Sequence, residues 1–282
     1  MENKLKNILF ILLIISLQAC NYADIGGMFI ANESINQRFE ESQRHNKDQQ
    51  PVTIMVPTDS YKIAVMADVH IGSTVNFDKA IQKIKSLNFN ALVLNGDICN
   101  GNKSDFERYA TQVKLVDPIP YFPLVGNHEL YFGGWKNYLT YLGSSTYYFS
   151  IKTNNAEDLI ICLDTGSGTL GSKQLAWFKN LLKTKRSAYR NCIVFTHNNL
   201  YRIRHTSSTN PLTEELLVMT ELFARYNVNM VVAGHDHHKN IVTLGNTIHI
   251  TLNAMKDGFD EADFLNISCT NGALNYQFTD IK

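Results

Sequence analysis

The chain has 282 residues, with 26 lysines and arginines against 26 aspartates and glutamates, so its formal charge is zero. It is 44% hydrophobic and 18% charged, which excludes disordered, collagen-like and coiled-coil proteins. The balanced charge leaves no footprint for non-specific nucleic-acid binding, so an anionic ligand has to be held by a local site.

The N-terminus reads as an address. Lys4 and Lys6 precede an apolar run from Ile8 to Leu17, shorter than the ~20 residues that span a bilayer and typical of a signal peptide, here over 1–19. Leu17-Gln18-Ala19-Cys20 resembles the bacterial lipobox, which implies lipidation at Cys20 and an exported protein anchored by its acyl chains. Asn21 in place of the retention aspartate favours the outer membrane or the periplasmic face. Residues 20–60 are polar and read as a tether and a peripheral segment, although the pattern also permits a short helix around Ile35–Arg44. Cys99, Cys162, Cys192 and Cys269 remain. Export would permit them to pair, whereas the apolar runs around Cys162 and Cys192 suit small buried hydrophobes.

From Tyr61 to residue 282 strands and helices alternate in one domain. Ile63–Ala67 is an apolar strand ending at Asp68. Phe77, Ala80, Ile81, Ile84 and Leu87 form one helical face. Ala91–Leu94 is a strand ending at Gly96-Asp97, Phe106–Val116 a helix, and Tyr121–Val125 a strand ending at Gly126. Leu159–Leu163 ends at Asp164, Leu175 to Leu182 marks a helix, and Ile193–Phe195 ends at His197. Leu212–Tyr226 is a helix, and Met230–Val232 ends at Gly234-His235. The C-terminal quarter alternates as β segments around 241–244, 247–252, 264–268 and 274–278.

Apolar strands therefore end repeatedly in clusters of Asp, Asn, His and Gly, at the strand ends where α/β sheets bind ligands. Pooled, Asp68, His70, Asp97, Asn127, His128, His197, His235 and His237 offer carboxylate, amide and imidazole donors, a set suited to manganese, iron or zinc. Seven ligands exceed one tetrahedral site, so two metals fit better than one. Strand alternation would aim Asp68 with His70, and His235 with His237, at a common point. Gly96, Gly126 and Gly234 suit tight turns against a ligand. A lone histidine in an apolar setting is more often structural, which is the reading for His249. His238, next to His237, points the other way.

The ordered blocks D-x-H (Asp68, His70), G-D (Gly96-Asp97), G-N-H-E (Gly126 to Glu129), His197 and G-H-x-H (Gly234 to His237) resemble the calcineurin-like metallophosphoesterase family. Gln174 and Trp177 after Asp164 resemble a helix common in these proteins. The resemblance implies an α/β fold, a four-layer αββα sandwich of two mixed β-sheets flanked by helices, with a dinuclear site between the sheets. It implies one metal on Asp68, His70, Asp97 and His237, a second on Asp97, Asn127, His197 and His235, and a metal-bound hydroxide as nucleophile. His128 is implied as the group that protonates the leaving oxygen. The purple acid phosphatase branch carries a Tyr ligand where this chain has Asn100, so a tyrosinate–iron chromophore is not expected. Asp164, Glu129 and Asp236 are candidates for supporting roles, the last two as partners of imidazole N–H groups. Arg202, Arg204 and Tyr131 are candidate substrate contacts, with a solvated loop the plainer reading of the arginines. The expected substrate is a phosphate-ester small molecule or lipid head group, diester or monoester. The competing reading is a non-catalytic surface lipoprotein that keeps the scaffold as a binding module.

Overall fold

The computed structural model describes residues 32–47, 51–72, 74–200 and 212–282. In chain order the elements are α1 (Ile35–Asn46), β1 (Thr53–Met55), β2 (Ser60–Met66), α2 (Val75–Ser86), β3 (Ala91–Asn95), α3 (Lys103–Gln112), β4 (Tyr121–Leu124) and α4 (Trp135–Tyr141). There follow β5 (Tyr147–Lys152), β6 (Glu157–Leu163), α5 (Gly171–Lys185), β7 (Cys192–Thr196), α6 (Thr213–Arg225), β8 (Met230–Ala233), β9 (Asn240–Leu244), β10 (Thr247–Thr251), β11 (Asp263–Thr270) and β12 (Ala273–Asp280).

The strands form two mixed sheets, one of five in the order β12-β11-β2-β3-β4 and one of seven in the order β1-β5-β6-β7-β8-β10-β9. β2, β3 and β4 run parallel, as do β6, β7, β8 and β10. Central strands are covered on both faces, which is why they read as unbroken apolar runs. Ile63, Val65 and Val93 of the first sheet meet Ile160, Phe195 and Val232 of the second in the middle layer. The alternate residues Ala64, Met66, Leu92 and Leu94 face Phe77, Ile81, Ile84 and Phe106 of the helices on one side. Leu159, Ile161 and Val194 face Phe178, Leu182 and Phe223 on the other. The result is the expected four-layer αββα sandwich.

α2 buries Phe77, Ala80, Ile81 and Ile84 as its spacing predicts. Leu87, the fifth member of that stripe, is 39% exposed, because the helix stops at Ser86 and Leu87 is its C-cap. In the segment before Tyr61, α1 follows the helical reading and opens with a Ser34–Gln37 capping box. The helix is docked rather than free. Arg38 and Phe39 are buried, and Trp135 Nε1 donates to Glu41. Gln43 and Asn46 donate to the Thr146 carbonyl. β1 adds to the edge of the larger sheet, parallel to β5.

The four described cysteines are buried and free. The signal peptide, Cys20, Arg202 and Arg204 lie outside the described residues. Among the described residues no helix is long and apolar enough to cross a membrane.

Candidate metal centre

Parallel strands end on a common edge, so β2, β3 and β4 deliver their polar clusters from one sheet and β7 and β8 theirs from the other. The two edges are tied together by Asn95, whose Nδ2 donates to the carbonyls of Thr196 and Val232. There the expected side chains converge into two groups. Asp68, His70, Asp97 and His237 form one and Asp97, His197 and His235 the other, the donor atoms in each lying within 4.8 Å of one another. Asp97 belongs to both. Its Oδ2 is 3.3 Å from His197 Nε2 and 3.9 Å from His70 Nε2. Asp68 Oδ1 is 3.2 Å from His237 Nε2, and the Nε2 atoms of His70 and His237 face each other at 3.3 Å. Asn127 Oδ1 joins the second group, 3.3 Å from His197 Nε2. His128 stands at the mouth, its side chain 29% exposed, with Nε2 3.9 Å from Asp97 Oδ2.

The convergence has a different cause from the one expected. Asp68, His70, Asp97, His235 and His237 are not on extended strand ends; all five have left-handed backbone, with φ between 47° and 69°. They make up five of the nine non-glycine residues with positive φ among the described residues. That conformation costs roughly 1–2 kcal/mol per residue and collects at functional sites. The strain is held by hydrogen bonds within the site. His235 N–H donates to Asp68 Oδ2 at 3.0 Å, and His128 N–H donates to Asp97 Oδ1 at 2.9 Å. Thr165 Oγ1 accepts the N–H groups of His197 and Asn198, each at 2.9 Å. Gly96, at φ 85°, has His197 where a Cβ would sit, and a Cβ on Gly126 would strike the Asp97 carboxylate.

Glu129 departs from expectation. It does not meet an imidazole; its carboxylate accepts the backbone N–H groups of Asp97 and Gly126 on one oxygen and of Cys99 on the other, at 3.0, 2.7 and 2.7 Å. It staples the end of β3 to the end of β4. Burial and neighbouring Asp97 push its carboxyl up to about 8, and the backbone donors pull the other way. Asp236 accepts from Asn199 Nδ2 at 3.3 Å.

The surrounding imidazoles favour the charged form of the two buried site aspartates. Burial pushes Asp97 up, but His197, His128 and His70 outweigh it and hold it well below the usual carboxylate range. Burial and Asp97 press Asp68 up as well, but His237 and His197 outweigh them and hold it below the ordinary value. Burial presses His197 down, but Asp97 overrides it and lifts the imidazole to about 10. Burial wins at His70, which falls to about 4. The field of the pair of carboxylates therefore draws in positive charge. The imidazoles are set to receive a metal. His197 Nδ1 donates to the Asn95 carbonyl at 3.0 Å and His70 Nδ1 to Asn100 Oδ1 at 3.0 Å, so both turn Nε2 inward. This donor set fits divalent cations.

Other expected residues are held by partners of their own. Tyr131 is 6% exposed, and its hydroxyl accepts from Asn127 Nδ2 at 2.7 Å. Asp164 pairs with the Arg38 guanidinium through two bonds of 2.9 and 3.1 Å. Gln174 clasps the Asp164 backbone, donating to its carbonyl and accepting its N–H, both at 2.8 Å. His249, on β10, lies against Phe223 with ring centroids 5.9 Å apart, away from the cluster. Sequence reasoning passed over Asn95, Thr165 and Arg38. Asn95 sat at the end of an apolar run and was legible; the other two act through partners far along the chain.

The family profile for calcineurin-like phosphoesterases matches residues 61–239. The chain belongs to that family. It is accordingly a metal-dependent phosphate-ester hydrolase, with an Asp/His cluster able to hold the metal. No curated protein matches it. Solved structures with the same fold include GAP50, the anchor in the inner membrane complex of Plasmodium, at 15% identity and a TM-score of 0.63 over 80% of this chain and 86% of that one. A dimetal phosphatase from Danio rerio is similar at 13% identity and a TM-score of 0.62, over 77% of this chain and 95% of that one. The purple acid phosphatase PPD1 of yellow lupin follows at 14% identity and 0.59, over 79% of this chain and 52% of that one. At these identities the likeness is one of fold.

Proposed function

We propose that this phosphoesterase works with two metal ions, one held by Asp68, His70, Asp97 and His237 and the other by Asp97, Asn127, His197 and His235. The observation that carries the reading is Asp97, a single carboxylate belonging to both donor groups and facing imidazoles on either side. Two divalent ions, of manganese, iron or zinc, would supply Lewis acidity toward the phosphoryl oxygens and toward the attacking water. The chain's own residues do the rest. Without metal, Asp68 and Asp97 hold His237 and His197 at the Nε2 atoms that would turn to the metals, and Asn95 and Asn100 fix the tautomers of His197 and His70. His128, at the mouth of the site, protonates the leaving oxygen from Nε2. Its backbone is held on Asp97, and its ring lies between those of His70 and Tyr131 at 4.5 and 4.7 Å. A general acid so placed contributes typically ~10²–10⁴-fold.

The lipobox-like Leu17–Cys20 supports an exported enzyme, lipid-anchored at Cys20 to the outer membrane or the periplasmic face. Its substrates would then be phosphate-ester small molecules or lipid head groups outside the cytoplasm. Palmitate labelling lost in Cys20→Ala tests that part. The reaction is tested by hydrolysis of bis-para-nitrophenyl phosphate and para-nitrophenyl phosphate, with metal removed and with Mn²⁺ restored, beside Asp97→Ala. Turnover that needs metal and falls about four orders of magnitude in the variant, ~5.5 kcal/mol of barrier, is expected. The ratio of the two substrates assigns diester or monoester preference. A folded protein that binds metal but turns over neither ester would favour the binding-module reading, which the anchor role of one fold neighbour keeps in view.

A further inference from the structure

An asparagine can ligate a metal only through its carbonyl oxygen, and its amide presents oxygen and nitrogen on nearly identical arms. A ligand asparagine therefore needs something that tells the two arms apart. At Asn127 that something is Tyr131, one turn further on. Its Oη accepts Nδ2 at 2.7 Å, which leaves Oδ1 turned to His197 Nε2 at 3.3 Å.

The backbone is bent to put Tyr131 there. The short helical turn His128–Gly133 breaks at Tyr131, whose ψ of 151° is extended, and Phe132 follows at φ 56°. Left-handed backbone is unfavourable for a bulky residue. The break leaves Phe132 50% exposed and sends the Tyr131 ring inward, where its centroid lies 4.7 Å from that of His128. One side chain thus touches both a ligand and the candidate acid.

We infer that Tyr131 is a positioning residue for the second metal: its hydroxyl locks the Asn127 amide with Oδ1 toward that metal, and its ring seats His128. The inference rests on the two-metal reading above. Tyr131 is then a part of the site's framework.

The test is Mn²⁺ titration of the metal-stripped full chain by calorimetry, for wild type, Tyr131→Phe, Asn127→Asp and the double variant. Phenylalanine keeps the ring and removes the hydroxyl that Asn127 Nδ2 donates to. Loss of a group that orients a ligand weakens metal binding by about 10–100-fold. That loss is expected at one of two sites in Tyr131→Phe, with the other unchanged. The Mn²⁺ concentration for half-maximal hydrolysis rises by the same factor, and kcat at saturating Mn²⁺ largely recovers. Asn127→Asp presents oxygen on both arms, so in that background Tyr131→Phe has a much smaller effect. Near-equal thermal unfolding of the metal-free proteins shows that the fold is kept; if Tyr131→Phe unfolds, the Asn127 side-chain amide of the wild type is read by NMR with Zn²⁺ bound, where Nδ2 protons protected from solvent exchange are expected and freely exchanging ones overturn the inference. Wild-type affinity at both sites, or equal weakening at both, overturns the inference. Fewer than two Mn²⁺ in the wild type overturns the two-metal reading itself.

Discussion

Asp97, just after β3, and Asp164, just after β6, are both carboxylates that follow an apolar strand, and both are buried. They are completed by different partners. Asp164 receives Nε and Nη2 of Arg38, a cation whose charge is permanent, together with the Ser145 hydroxyl and the Gly166 N–H. Its charge is satisfied within the protein. Asp97 is ringed by His197, His70 and His128, whose charge depends on a proton. A carboxylate faced by guanidinium is a finished joint. A carboxylate faced by imidazoles on two sides can exchange one cation for another, which a metal centre requires.

The comparison can be broken at each carboxylate. The largest effect is the loss of hydrolysis in Asp97→Ala described above. Next, Arg38→Met should destabilise the fold by about 3–5 kcal/mol, because it strands a buried charge. Urea denaturation reads this, and Arg38→Met combined with Asp164→Asn should recover part of the loss. The folded fraction should stay active, because it is Thr165, not Asp164, that holds His197. An Arg38→Met protein as stable as wild type would mean that Asp164 is not the closed pair the geometry depicts.

A smaller effect sharpens the comparison from the side of the imidazole. His249 is buried on β10 with no carboxylate cause behind its shift, and burial alone lowers it from 6.5 to about 4, opposite to His197. The unfolded chain binds that proton at higher pH than the folded one does. The His249 contribution to stability is therefore full above pH 6.5 and is lost as pH falls toward 4. His249→Phe should make that limb of the stability curve shallower, with His70, lowered to about 4 as well, supplying part of what remains, measured by urea midpoints between those pH values. An unchanged limb would place its origin elsewhere.

Much of the site was legible because chemistry-bearing residues follow apolar runs: Asp68, Asp97, His197 and His235 could be found from Ile63–Ala67, Ala91–Leu94, Ile193–Phe195 and Met230–Val232. The layer order came from the resemblance to metallophosphoesterases; the runs mark buried strands and the α2 stripe a packed helix, without saying how two sheets stack. The reason for convergence was not legible. Strand alternation suggested paired directions, whereas left-handed turns at five residues supply them, and such turns are chosen by the hydrogen bonds of the finished site. β1 and β5 also gave no signal. Thr53–Met55 is a three-residue edge strand, and Tyr147–Lys152 is half-buried at its start, so neither forms an apolar run. Arg38 sits in a polar helix, and what sets it apart, Asp164, lies 126 residues away. Local pattern marks the residues a strand end presents, and long-range pairing decides which of them are closed off.

The most direct test of the shared carboxylate is the metal content and magnetic state of the purified chain after reconstitution with Mn²⁺. Two manganese ions per chain, with the electron paramagnetic resonance spectrum of a spin-coupled pair, are predicted for the wild type. Asp97→Ala should lose the coupling and at least one ion. A single uncoupled manganese in the folded wild type, or a coupled pair that survives in Asp97→Ala, would contradict the account.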